Sequence, residues 1–213
     1  MRINVNGTWT QVTDHSGFVH AHQVAKPDSS DIAHDGNPYS MVRSGRDLIV
    51  VEANQAQVLR ESLNGHIERV LDVTATVGNI TPTAVARRAN GFIVGNLGKI
   101  PFFDSTSVVF NVLASGAVGR IRPNFTTVLG LAYDNGGKLY ALETSTNNSG
   151  APPFLFPNSG QVVLVDDLGP GTAIATGLNL PTAMTFGPDG ALYVVECGYG
   201  CGPGGGFIVR IPH

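Results

Sequence analysis

The chain has 213 residues, of which 14% are charged, with a formal net charge of −3 and a pI of about 6.0. That balance offers no electrostatic footing for nucleic acid or an anionic membrane, and no run of about 18 apolar residues occurs that could cross a bilayer as a helix. Twenty-seven glycines in so weakly charged a chain point to many short strands joined by tight turns, because glycine reaches positive φ without strain.

The chain opens on Arg2 and Ile3, then Asn6-Gly7, then residues 8–12, the pattern of a strand, a turn and a returning strand. No basic start followed by an apolar run is visible in the first twenty residues, so no secretory signal is read there. Residues 14–36 are predicted to be a connection whose best helical pattern lies near residues 18–25. Four of the six histidines fall in it: His15, His20, His22 and His34. His20 and His22 would share a face only on a strand, and no further ligands follow at zinc spacing. A solvated connection is therefore expected.

From residue 37 a repeat governs the sequence. The segments 47–52, 91–96, 138–143 and 191–196 are short apolar runs ending in Glu52, Asn96, Glu143 and Glu196. Those ends lie 44, 47 and 53 positions apart, the period of a propeller blade. Each run follows a glycine-containing turn of the kind that closes hairpins. Ahead of the turns stand small and apolar segments, 39–42, 83–86, 129–132 and 182–185, suited to an innermost strand. Pro38, Pro82 and Pro181 introduce three of them, where proline removes no ladder donor.

Third strands are predicted at 57–60, 117–120, 161–164 and 207–210, and outer strands near 65–70, 126–128 and 172–176. The predicted fold is therefore an all-β propeller of four-stranded antiparallel blades, with about four and a half blades of an expected six. The divisions are a partial blade at 1–13, the connection at 14–36, and blades at about 37–73, 81–126, 127–178 and 180–213. A β-sandwich would not produce the same second-strand terminus four times. No fourth strand follows residue 211, and propellers commonly complete a last blade with an N-terminal strand. Ring closure by further N-terminal blades or by self-association is expected.

The order of these elements resembles the ScyD/ScyE family of propeller proteins, named from scytonemin biosynthesis in cyanobacteria. Residues 7–12, 26–30, 36–40, 181–198 and 204–211 carry the match. More widely the chain is similar to NHL-type propellers and to the gluconolactonase/senescence-marker (SMP-30) group. The resemblance implies a six-bladed ring and, for ScyD/ScyE, no assigned reaction. The family's first blade and most of its second have no counterpart here.

In a propeller the second-strand ends approach one face near the axis. Glu52, Asn96, Glu143 and Glu196 are expected there, with Asn37, Thr81 and Asn179 in the neighbouring connections. Such oxygens would suit a hard cation such as calcium, which takes six to eight of them. The lactonase resemblance also implies a divalent metal at this end. The same side chains would equally serve to cap strand-end amides. Two long connections, near 101–110 and 151–157, bring Phe102, Phe103, Phe110, Phe154 and Phe156 to the same face. They would floor an apolar ligand pocket or pack on one another. Cys197 and Cys201 could close a small loop by a disulfide in an oxidising compartment. The function expected is that of a small-molecule-binding or accessory protein in specialised metabolism, outside the cytoplasm, in the extracellular space or periplasm. The alternatives are a metal-dependent hydrolase or lyase at the central channel, and a protein-interaction scaffold.

Overall fold

The computed structural model describes residues 2–28 and 35–213; His34 lies outside them. A short ribbon pairs β1 (Arg2–Ile3) with β2 (Trp9–Thr10). Helix α1 (His15–Ala21) follows, with Asp14 as its N-cap accepting from the Gly17 N–H at 3.0 Å. Between Pro38 and Ile211 the chain forms four antiparallel sheets, each running in sequence order from the inside outward.

The first blade comprises β3 (Pro38–Ser44), β4 (Asp47–Glu52), β5 (Gln57–Ser62) and β6 (Ile67–Asp72). A single helical turn, α2 (Val73–Thr76), leads out of it. The second holds β7 (Pro82–Arg88), β8 (Gly91–Asn96), β9 (Ser107–Leu113) and β10 (Val118–Phe125). The third holds β11 (Val128–Tyr133), β12 (Leu139–Glu143), β13 (Gly160–Val165) and β14 (Pro170–Leu178). The last has three strands, β15 (Ala183–Phe186), β16 (Leu192–Glu196) and β17 (Phe207–Ile211). This is a β-propeller arrangement. The first turn of every blade uses a glycine at positive φ, namely Gly45, Gly91, Gly137 and Gly190.

In the second blade the strands differ from the sequence expectation. The third strand is Ser107–Leu113, not 117–120, and the outer strand is Val118–Phe125, not 126–128. Residues 107–110, expected in a loop, are ladder residues, and Phe110 is fully buried between blades. The physical reason is the turn at residues 114–117, where Gly116 at φ 83° closes a hairpin. The strand that follows exposes most of its residues, as an outermost strand should.

Three apolar clusters fill the spaces between consecutive blades. Ile49, Val51, Phe92 and Phe110 join the first to the second. Ile93, Phe125, Val128 and Leu131 join the second to the third. Tyr140, Leu142, Leu192 and Val194 join the third to the fourth. A buried hydrogen bond, Thr83 Oγ1 to the Val128 carbonyl at 2.5 Å, also ties the second blade to the third.

The connection before the first blade is not a solvated linker throughout. The His15 side chain is only 11% exposed and its Nε2 contacts the Glu61 carboxylate. Thr13 Oγ1 donates to the other Glu61 oxygen at 2.6 Å. Farther along, Arg69 donates to the carbonyls of His22 and Gln23, and the Ala25 N–H donates to Asp72 at 2.7 Å. Side chains of the outer strands thus strap residues 13–26 to the first blade. His20 and His22 lie on the exposed side.

Candidate functional site

The four strand-end residues occupy equivalent places. In each blade the residue after the second strand donates its N–H to a carbonyl in the connection entering the first strand. The pairs are Ala53 to Asn37, Leu97 to Thr81, Thr144 to Thr127 and Cys197 to Asn179, at 2.9–3.0 Å. This ladder rung holds Glu52, Asn96, Glu143 and Glu196 at one end of the propeller, and all four are buried.

Their side chains do different things. Glu52 Oε1 accepts from the N–H groups of Asn37 and Asn54, and Oε2 accepts from the Gln55 N–H and from Gln57 Nε2. Four donors leave this carboxylate no lone pair for another partner. Asn96 Oδ1 accepts from the Val108 N–H at 2.6 Å, while its Nδ2 is buried without a partner. Glu143 accepts from the Thr126 N–H at 2.7 Å and from Gln161 Nε2 at 2.6 Å. Burial pushes the Glu143 carboxyl up; those two hydrogen bonds oppose the rise and nearby Asp104 adds to it. Glu196 is the exception, because its carboxylate accepts no hydrogen bond among the described residues. Asn179 Oδ1 is likewise buried and unpartnered, its Nδ2 lying 3.0 Å from Cys197 Sγ.

Among the described residues no group of three or more His, Cys, Asp or Glu side chains is gathered to hold a metal ion. A cation at Glu52 would have to displace backbone amide donors, so that carboxylate does not fit one as it stands. Glu196 and Asn179 offer the uncommitted oxygens.

Over this end lies a tyrosine that the sequence reading passed by. Cys197 and Cys201 form a disulfide, and the five-residue loop it closes carries Tyr199. The Tyr199 hydroxyl sits 3.0 Å from Thr144 Oγ1 of the adjacent blade. Tyr39, at the start of the first blade, is close enough for its phenol to feel that of Tyr199. Burial pushes both phenols up; the Tyr199 charge adds to the rise at Tyr39, whereas the bond from Thr144 opposes it at Tyr199. A residue isolated between two cysteines and two glycines was the available signal, since such a loop has no other large side chain to present.

Two longer loops, 97–106 and 144–159, rise beside the mouth. Asn148 joins them, donating from Nδ2 to the Phe102 carbonyl at 2.9 Å and from its N–H to Asp104 at 3.2 Å. Phe102 lines a cleft of about 340 Å³ with Ala53, Asn79, Thr81, Leu97 and Lys99. Phe103 is exposed and leans toward Gly150 of the other loop. Phe154 and Phe156 are half-buried within that second loop. Phe110 belongs to the interior between the first two blades.

The fold defines the class: a β-propeller. No protein-family model matches the chain, and no curated protein matches it in sequence. Among solved structures it is similar to a protein classed as a gluconolactonase, with 12% identity and a TM-score of 0.57 over 84% of this chain and 60% of that one. A luciferin-regenerating enzyme gives 15% identity and 0.51 over 76% and 55%. The calcium-binding protein regucalcin from Agrobacterium tumefaciens gives 11% and 0.50 over 76% and 53%. The chain spans only some 53–60% of these neighbours' lengths, and at such identities the likeness is one of fold.

Proposed function

We propose that this propeller binds a small polar organic molecule at the end bearing Glu52, Asn96, Glu143 and Glu196. Its role is that of a binding or accessory protein in specialised metabolism, as the ScyD/ScyE resemblance suggests. The observation that carries the reading is Tyr199, which a disulfide-closed loop holds above buried acids with its hydroxyl 3.0 Å from that of Thr144. Phenols, a hydroxyl and an uncommitted carboxylate converging from three blades supply the few placed polar groups that a ligand site needs. The Cys197–Cys201 disulfide supports an oxidising compartment, extracellular or periplasmic.

A second reading is a hydrolase or lyase acting at the same mouth. It is favoured by Glu143, whose buried and raised carboxyl suits a general acid. A divalent cation, calcium included, would in that case have to be held by Glu196 and Asn179 rather than Glu52. A third reading, protein interaction, draws on Phe207 and Ile208, exposed on the edge strand β17.

The test is thermal shift and saturation-transfer NMR with sugar lactones and aromatic amines. At least one probe should raise the Tm of the wild type, and Tyr199→Ala and Thr144→Val should each weaken that shift. Absence of any shift, or a shift indifferent to both substitutions, would overturn the reading. Lactone turnover lost in Glu143→Gln would favour the enzyme, and a Tm responsive to calcium and chelator would favour the cation.

A further inference from the structure

At the opposite end of the propeller a basic cleft of about 640 Å³ opens between the second and third blades. Arg88 comes from the far end of β7, Arg120 and Arg122 from β10, and Lys138 from the turn before β12. Only Asp166 and Asp167 oppose these four cations in the lining, in a chain whose net charge is −3. Tyr133, Ile93, Leu139 and Leu164 supply an aromatic and apolar wall.

Arg122 is the unusual member. Its side chain is 13% exposed, and one Nη donates to Asn111 Oδ1 at 3.1 Å. Its Nε is buried with no partner. A guanidinium largely screened from water, with like charges beside it and its nearest carboxylate 3.9 Å away, is short of anionic partners. Burial and the neighbouring Arg120 and Arg88 all press its pKa down. Arg88 and Lys138 form no ion pair among the described residues. What answers the cations is one carboxylate, Asp167, which lies 2.5 Å from Arg120 and 3.9 Å from Arg122. It sits on an exposed turn and is itself 78% exposed.

We propose that this cleft is a binding site for an organic oxyanion, a phosphate or sulfate ester. The anionic group would take the place of the Asp167 carboxylate between Arg120 and Arg122, and the organic part would lie on the Tyr133 wall. Guanidinium forks match such oxygens in shape as well as in charge. The cleft is remote from the mouth that carries Glu143 and Tyr199, so the two sites stand or fall separately.

Calorimetric titration of the full chain with phenyl phosphate, at ionic strength held constant by chloride, tests the site. Saturable binding and a raised Tm are expected, with inorganic phosphate weaker because it leaves the apolar wall uncovered. Lys138→Glu should weaken binding about threefold to tenfold, as expected for an exposed charge. Asp167→Asn should strengthen it about threefold by removing the resident competitor. The gain is the decisive arm, because a merely structural residue would not improve binding when altered. Both positions are exposed, so folding should survive, whereas Arg122→Ala could act by unfolding. No saturable binding, or affinities unchanged in both variants, would overturn the site. Equal affinity for inorganic phosphate and phenyl phosphate would overturn the role given to the Tyr133 wall.

Discussion

Glu52 and Glu143 stand at the same point of the repeat, yet their chemistry differs. Glu52 answers four N–H donors, three from two connections and one from Gln57 of β5. Replacing it by glutamine turns one acceptor oxygen into a donor facing donors, which should cost about 2–4 kcal/mol. Glu143 answers two donors, and its pKa is raised chiefly by burial. A raised carboxyl binds its proton more tightly folded than unfolded, so the ionised form opposes folding above the folded pKa, and that opposition fades as pH falls. One of the two donors to Glu143 is the Gln161 side-chain amide, which can turn its oxygen toward a new Nε2, so Glu143→Gln should be neutral or stabilising at pH 7, with any gain shrinking toward acid. Urea unfolding of both variants across pH checks the contrast; equal losses would refute it.

At the scale of elements, the strap over residues 13–26 depends on carboxylates of the first blade. At Glu61 burial raises the pKa, but the bonds from His15 and Thr13 outweigh it and hold the group low. Asp72 behaves alike: burial opposes, while Thr74, the Ala25 N–H, the Ala75 N–H and Arg69 lower it. A depressed carboxyl stabilises fully above its ordinary value of about 4, and the stabilisation is lost as pH falls through the folded-state value. Acid should thus release α1 before the β-ladders of the first blade melt. NMR shifts of residues 15–21 followed from pH 6 to about pH 3 should move ahead of those in β3, which does not pair with the strand carrying Glu61. Simultaneous loss would show that the strap is not held by these two groups.

Across the whole molecule, three apolar clusters among the described residues join each blade to its sequence neighbours. Stability in such an array is a sum of blades and interfaces, so opening free energies should differ along it. The second and third blades are covered on both faces. The last blade has three strands and exposes Phe207 and Ile208. Amide hydrogen exchange should be slowest in β8, β9, β12 and β13 and fastest in β17. Uniform protection would mean that the four blades unfold as one unit.

Much of the fold was legible in the sequence because the repeat is local. Turn glycines, apolar second strands and their terminal Glu or Asn recur within each blade, and the ladder places them alike. The error in the second blade came from the same source. Residues 107–113 follow a long loop, and nothing local separates a buried third strand from such a loop until Phe110 finds its neighbours across the interface. The site was legible only as a set of positions. Whether Glu52 caps amides, whether His15 meets Glu61, where Tyr199 reaches, and which cations share a cleft with Arg122 all depend on contacts between residues tens of positions apart. Spacing along the chain determined which side chains arrive at each end of the propeller. Only the tertiary structure decided which of them are already satisfied by partners, because hydrogen bonding and burial are properties of the packed surroundings and not of the segment.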